Sequence, residues 1–165
     1  MNLEDDITLD WLVKNGSLVP TDSDALPTYR VYDGNELVAN QTGTMAFTDS
    51  GDVTGATNAS PIVITSAGHG LSNGTRVTLS GVGGNTAANS TFAVANVTTN
   101  TFELAGSTGN GSYTSGGSWH VTGLYSLTLT ASAANGYVAG ITYTVLVSGA
   151  VSASARADLI TFIVG

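Results

Sequence analysis

A serine and a histidine in one short segment are the residues whose types and spacing come nearest to a catalytic motif. Residues 70–74 read Gly-Leu-Ser-Asn-Gly, which matches the G-x-S-x-G pattern of a nucleophile elbow, and His69 directly precedes them. An elbow needs a helix immediately after the serine, whereas residues 75–79 are β-branched and alternating, which predicts a strand. We therefore predict a turn in which Asn73-Gly74 supplies a positive φ. We also expect His69 to satisfy a backbone group in that turn.

Two aspartate pairs and one glycine-rich segment are the other motifs that could hold a ligand. Asp22-Ser-Asp24 and Asp49-Ser-Gly-Asp52 offer oxygens to Ca²⁺, but neither has the spacing of a calcium-binding loop. Residues 81–85, Gly-Val-Gly-Gly-Asn, lack the lysine and the following helix of a phosphate-binding loop. We interpret the aspartates as solvated turn residues and residues 81–85 as a loop. The sequence also places no carboxylate pair across a cleft, so we predict no enzymatic activity, catalytic residue, cofactor or metal.

The composition favours short strands joined by tight turns. The chain has 165 residues with 21 glycines, only 10% charged residues and many Thr, Ser and Val. A hydrophobic fraction of 42% is enough to offset the entropy of ordering a core. The absence of cysteine excludes disulfides, thiolate nucleophiles and sulfur-ligated zinc. The sequence therefore predicts an all-β protein without helical bundles.

The charge is acidic and concentrated near the beginning of the chain. The net charge is −8, and ten of the twelve acidic residues precede residue 57. The chain has only four Lys and Arg residues, so we do not expect a basic surface that binds nucleic-acid phosphates. The first residues are acidic where a secretory signal is basic, and no apolar stretch is long enough for a membrane span. We expect no nucleic-acid partner and no membrane partner.

Hydrophobic alternation divides the chain into three parts. Strands are predicted near 7–13, 29–32 and 44–48. After a predicted linker at 49–60, four short and nearly uncharged strands follow between 61 and 104. Three further strands are predicted between 124 and 164, with one helical turn around 132–135. Three strands alone make a marginal sheet. We therefore predict one β-sandwich from residues 1–56 and 122–165, interrupted by an inserted small β-barrel module at 57–121.

Most aromatic residues fall inside the predicted strands, where core packing is the default. Tyr113, within the Gly/Ser-rich run, is the one aromatic residue placed on a loop as a carbohydrate platform would need.

The central segment resembles a small β module of tailed-bacteriophage structural proteins. The similarity lies in residues 64–81, which contain His69-Gly-Leu71 and Gly74-Thr-Arg-Val-Thr-Leu79, and it continues through residues 89–94 and 100–104. The same pattern is similar to a β-barrel half-domain of ubiquitin-activating enzymes, although this chain has no cysteine for a thioester. The flanking residues 7–10, 27–32, 123–129 and 135–145 resemble an immunoglobulin-like phage domain.

These resemblances imply a virion structural protein with an immunoglobulin-like β-sandwich. The expected function is capsid decoration: binding as a cement protein to the assembled lattice of the major capsid protein. The chain would be made in the bacterial host cytoplasm and would reside on the virion, with self-association left open. The expected capsid-facing acidic region is Glu4, Asp5, Asp6, Asp22 and Asp24. Two alternatives remain: a tail, connector or fibre component, or a non-viral carbohydrate-binding or adhesin module.

Overall fold

The computed structural model describes residues 4–165, which form two compact units. The first, here called the split unit, combines residues 4–47 with Gly123–Gly165, and the second, the central unit, is Thr48–Thr122. Both consist of antiparallel strands, so the predicted all-β class is confirmed. None of the helices in this described part of the chain has the length and apolar character needed to cross a bilayer.

The described residues contain fourteen strands and two single-turn 3₁₀ helices. The helices are Thr86–Ala88 and Ala133–Asn135. The strands are β1 (Asp5–Leu12), β2 (Thr28–Asp33), β3 (Glu36–Thr44), β4 (Ala46–Phe47), β5 (Ser50–Asp52), β6 (Gly55–Ala56), β7 (Ile62–Thr65), β8 (Arg76–Ser80), β9 (Thr91–Ala95), β10 (Thr101–Leu104), β11 (Ser118–Val121), β12 (Leu124–Ala131), β13 (Thr142–Val151) and β14 (Ser154–Ile163).

The split unit contains a three-stranded sheet, β1-β12-β4, and a four-stranded sheet, β14-β13-β2-β3. Strand β12 shows why the sequence folds this way: its apolar residues alternate, and Tyr125, Leu127, Leu129 and Ala131 are all buried. Strand β13 alternates in the same manner. Each sheet therefore has one apolar inner face.

The inner faces of these two sheets contribute to one buried cluster. Ile7, Trp11 and Leu127 come from the three-stranded sheet, and Val31 and Val145 come from the four-stranded sheet. Burying a side chain of this size contributes about 1.5–3 kcal/mol. The shared core gives the split unit a β-sandwich-like architecture.

Two tyrosines anchor the turn that leads into β13. The hydroxyl of Tyr143 accepts a hydrogen bond from the Val138 N–H at 2.7 Å, and Tyr137 packs against Tyr143 with ring centroids 4.8 Å apart. The Tyr137 hydroxyl donates to Gln41 Oε1 at 3.0 Å. Burial, followed by the charges of neighbouring Tyr29 and Tyr143, raises the pKa of Tyr137 to about 12.

This raised pKa predicts a loss of stability in alkaline solution. In the unfolded chain Tyr137 titrates near its ordinary value of 10.0, so between pH 10 and about 12 the native state retains a proton that the unfolded state releases. The free energy of unfolding should therefore fall as the pH rises through that interval, and the contribution is fully present below pH 10. Urea unfolding at a series of alkaline pH values should show a shallower fall for Tyr137→Phe. An equal slope in both proteins would contradict the assignment.

The central unit is built on one seven-stranded sheet, in the order β5-β11-β8-β9-β10-β7-β6. Its two outermost strands, β5 and β6, are consecutive in the chain and are joined only by Val53 and Thr54. Such a link spans at most about 11 Å, so the sheet must curl until its two edges approach each other. Two backbone hydrogen bonds, each of 2.9 Å, also hold this link in place. The Val53 N–H donates to Gly117 O, and the Thr54 N–H donates to Thr65 O.

The inside of this curled sheet holds a second, separate core. Ile62, Ile64, Phe102 and Leu104 are fully buried, and Trp119 is 2% exposed. None of the residues in this cluster belongs to the buried cluster of the split unit.

The segment predicted as a linker is structured, which corrects the sequence interpretation of residues 49–60. It contains β5 and β6, which pair with β11 and β7 respectively. The central unit accordingly begins at Thr48 rather than at residue 57, and it ends at Thr122. Strand β3 was also not predicted, whereas the helical turn expected around 132–135 is present.

Candidate functional site

The loop around His69 is held by the histidine ring itself. Nδ1 accepts a hydrogen bond from the Leu71 N–H at 3.1 Å, so the ring proton lies on Nε2, which contacts Thr101 O at 3.3 Å. The ring also packs edge-on against Phe102, with centroids 5.1 Å apart. Both nitrogens are engaged with backbone groups, as predicted, and neither is directed at a serine.

The segment around Ser72 forms a turn that leads into a strand. Gly74 has a φ of +89°, which a residue with a side chain rarely adopts, and the Thr75 N–H donates to Ser72 O at 3.1 Å. Strand β8 follows at Arg76. The predicted turn is confirmed, and the helix that a nucleophile elbow requires is replaced by a strand.

We expect His69→Ala to destabilise the central unit by about 1–3 kcal/mol, because two backbone groups lose their partner. Ser72→Ala is the control in the same loop and should change stability by less than about 0.5 kcal/mol, because the side chain is exposed. Urea unfolding followed by circular dichroism measures both. Equal effects of the two substitutions would contradict the structural role of His69.

The glycine-rich residues 81–85 form a loop, as predicted. Several of their polar groups make hydrogen bonds to other residues of the central unit. The Gly83 N–H donates to Ser115 O, and Gly83 O accepts from the Thr114 N–H. The buried Asn85 donates its side-chain amide to Thr57 O at 2.7 Å. Tyr113 in the neighbouring loop is partly buried, and its hydroxyl donates to Val53 O at 3.0 Å. Tyr113 is therefore a packing residue and not the free aromatic platform suggested by its sequence position.

The five residues of the expected acidic region do not form one patch. Asp5 lies opposite Ala131 at one end of the β1–β12 pair, and the Glu4 N–H donates to Ala131 O. Asp6, next along β1, accepts from the Thr130 hydroxyl at 2.7 Å. The opposite end of the pair, where Asp22 lies, is roughly 25 Å away at the usual rise of a strand.

Asp22 and Asp24 bind backbone groups at that far end. Asp22 Oδ1 accepts from the Gly123 N–H at 2.7 Å, next to the start of β12. The two carboxylate oxygens of Asp24 accept from Ser152 and Ala153, each at 2.8 Å. Ser152 and Ala153 form the β13–β14 turn with positive φ at both positions, a conformation that costs free energy in residues with a side chain. These two carboxylates therefore stabilise the fold in addition to carrying charge.

Exposed large apolar side chains are confined to the split unit. Within Thr48–Thr122, which the structure describes completely, no large hydrophobic side chain is strongly exposed. The split unit exposes Leu12, Leu18, Val19, Leu26, Leu37, Val138, Leu159 and Ile163. A contiguous exposed apolar patch marks an interaction site, whereas single exposed apolar side chains are normal.

One group of these side chains lies on the segment between β1 and β2. The Asn15 side chain accepts from the N–H groups of Ser17 and Val19, at 2.9 and 3.1 Å, and so closes a tight loop. Leu18 at its tip has a φ of +62° and is 76% exposed. A bulky residue in this conformation is an outlier, and such strain is retained mainly where it has a use. The loop presents an apolar tip to its surroundings.

The second group includes residues on the outer face of the four-stranded sheet. Leu146 lies opposite Leu159, which is 63% exposed, and Tyr32 lies opposite Leu37. A cavity of about 360 Å³ lies between Tyr32, Leu146 and Leu159. At the edge strand, Asp158 Oδ1 accepts the N–H of Leu159 at 2.8 Å, which opposes pairing with a further strand. Contact here is therefore expected through the sheet face.

Neither a protein-family model nor a curated protein matches this chain. The described residues also contain no group of three or more His, Asp or Glu side chains arranged to hold a metal ion.

Proposed function

We propose that this protein is a structural component of a tailed-bacteriophage virion, a decoration protein that binds the assembled capsid through its split unit. The observation that carries the proposal is the restriction of exposed large apolar side chains to that unit. Protein interfaces combine a desolvated apolar centre with a polar rim. The apolar face around Leu146 and Leu159 and the loop tip at Leu18 supply the apolar centre, and the exposed acids on strands of the same sheet, Asp33, Glu36 and Asp158, supply a polar rim.

The proposed partner is the lattice of the major capsid protein, and the proposed location is the outer surface of the head. A decoration protein has to remain soluble before assembly, and a net charge of −8 favours solubility. The exposed acids of the split unit would contact basic groups of the shell. The proposed role requires no catalytic step, cofactor, membrane or nucleic acid.

At the level of the fold, we propose an immunoglobulin-like sandwich that carries a small β-barrel module. The strand orders β1-β12-β4 and β14-β13-β2-β3 support the first part. So does the bond from the Val138 N–H to the Tyr143 hydroxyl, which resembles the tyrosine corner of such domains. The curled seven-stranded sheet of the central unit supports the second part.

The test is to mix the purified protein with undecorated capsids at low and at high ionic strength and to count the bound copies. We expect saturable binding across the shell, with no binding to unassembled capsid subunits. High salt should weaken the contribution of the acids, whereas the apolar contacts should persist. A few copies at one vertex would indicate a connector or tail role. No binding to any part of the particle would overturn the virion assignment.

Two substitutions test the surface itself. Leu159→Ser removes an exposed apolar side chain from the sheet face, and Leu18→Asn removes the apolar tip while placing a residue that tolerates positive φ. Each should weaken capsid binding by about tenfold or more without lowering stability. Thr128→Ser, at an exposed position of the other sheet, is the control and should bind as the unmodified protein does. Unchanged binding of both leucine variants would show that the split unit binds elsewhere.

A further inference from the structure

A polar cavity in the central unit is not used by the capsid-binding proposal. It has a volume of about 490 Å³ and lies between the segment that contains β5 and the loop of residues 66–69. Its wall includes Thr48, Asp49, Asp52, Ser66, His69 and Trp119. The volume is within the range of pockets that hold small organic molecules.

The chemistry of the wall selects the class of ligand. Asp49 and Asp52 supply exposed carboxylates, and several hydroxyl groups surround them, whereas neither Lys nor Arg is present among the lining residues, all of which the structure describes. Carboxylates without a cationic neighbour repel anions and accept hydrogen bonds from hydroxyl groups. Such a wall is suited to a neutral ligand that carries several hydroxyl groups.

The cavity is preformed by a close contact between β5 and Trp119. A Cβ atom at Gly51 would lie 2.9 Å from the Trp119 Nε1, so only glycine allows the strand to approach the indole this closely. The indole N–H donates to Ser66 Oγ at 2.8 Å, and the ring of His69 fixes the end of the loop. Because the protein already holds these groups in position, binding a ligand would cost little conformational entropy.

One buried polar atom of a lining residue has no hydrogen-bond partner within residues 4–165. The hydroxyl oxygen of Thr48 is shielded from solvent and has no partner among the described residues. A buried hydroxyl that lacks a partner costs free energy, which a ligand hydroxyl would recover once the Thr48 side chain turned its oxygen into the cavity. Ser66 Oγ accepts from Trp119, and its own hydrogen can still be donated.

We propose that this cavity binds a neutral hexose, with sugar hydroxyls donating to the carboxylates of Asp49 and Asp52 and pairing with the hydroxyls of Thr48 and Ser66. A calcium ion is the less favoured occupant, because it takes six to eight oxygen ligands and this wall supplies only two carboxylates. With few apolar contacts the affinity should be on the order of millimolar.

The test is a titration of the ¹⁵N-labelled full chain with glucose, galactose, mannose and N-acetylglucosamine, followed by amide and indole resonances. At least one sugar should produce saturable shifts of residues 48–52, residues 66–69 and the indole N–H of Trp119. The indole of Trp11, in the split unit, is the internal control and should not move. No saturable response to any of the four sugars would overturn the proposal.

Variants separate a specific site from general effects of added sugar. Asp52→Ala and Thr48→Val should each weaken binding by about fivefold or more, whereas Asp33→Ala, an exposed acid of the split unit, should leave it unchanged. Shifts that survive Asp52→Ala and Thr48→Val would contradict the site. Shifts produced by calcium chloride and by none of the sugars would show that the cavity is a cation site and would likewise overturn the proposal.

Discussion

Replacing Trp119 by alanine should lower the free energy of unfolding of the central unit by about 3–5 kcal/mol. The side chain is 2% exposed and packs edge-on against Phe102, with ring centroids 6.0 Å apart. The substitution would leave a cavity beside Gly51 and remove the donor to Ser66 Oγ. Trp119→Phe retains part of the volume and should cost less. Denaturant unfolding measures both variants.

The chain contains two tryptophans, and each unit has one, so each can report on its own unit. In Trp119→Ala the remaining fluorescence comes from Trp11, which lies in the core of the split unit. Its unfolding midpoint should be unchanged, while circular dichroism shows the earlier loss of the central unit. Trp11→Ala should show the reverse pattern with a similar cost. A common shift of both reporters would show that the two cores unfold as one cooperative body.

The strands that could be predicted from sequence are those with regular apolar alternation. In β12 every second residue is buried, so the pattern alone identifies the inner face. Strand β3 could not be found in this way, because only Val38 of its nine residues is buried and its composition includes Asn, Gln and Gly. It exists because β2 provides a pairing partner, which is a tertiary effect and not a local preference.

The missed strand β5 has a different physical cause. Ser50, Gly51 and Asp52 have low strand propensity and read as a linker, yet Gly51 lies directly opposite Trp119 in the neighbouring strand. The glycine permits a contact that any side chain would block, and no pattern within residues 49–60 indicates that the indole is there. The polar cavity was missed for the same reason, because Asp52, Ser66 and Trp119 are distant in sequence.

For the candidate site residues, too, the sequence predicts local contacts but not contacts between distant segments. The sequence correctly predicted that His69 would bind backbone groups, because that interpretation depends on the residues immediately around it. The acidic region depended on charge density along the chain, which carries no information about sheet register. In the structure, Asp5 and Asp22 are separated by the full length of β12.

A chain in which a short Gly/Ser link replaces residues 48–122 should retain a folded, cooperatively unfolding split unit. Phe47 and Tyr125 are paired in adjacent strands and their rings are stacked 5.2 Å apart, so the link would convert β4 and β12 into a hairpin. The cost of closing a loop changes slowly with its length. The excised residues 48–122 should also fold alone, because the Val121 N–H donates to Asp49 O and holds the ends of that fragment together.

The matched control is a second deletion that removes only residues 57–121. That version leaves β5 and β6 attached to the split unit without their partner strands β11 and β7, which adds unpaired backbone groups and an exposed Val53. It should be less soluble and unfold less cooperatively than the 48–122 deletion, as measured by thermal scans and by binding of a hydrophobic dye. If both deletions gave collapsed or aggregated products, the split unit would depend on the central unit for its core. If the 57–121 deletion were more soluble and unfolded more cooperatively than the 48–122 deletion, the boundary at Thr48 would be wrong.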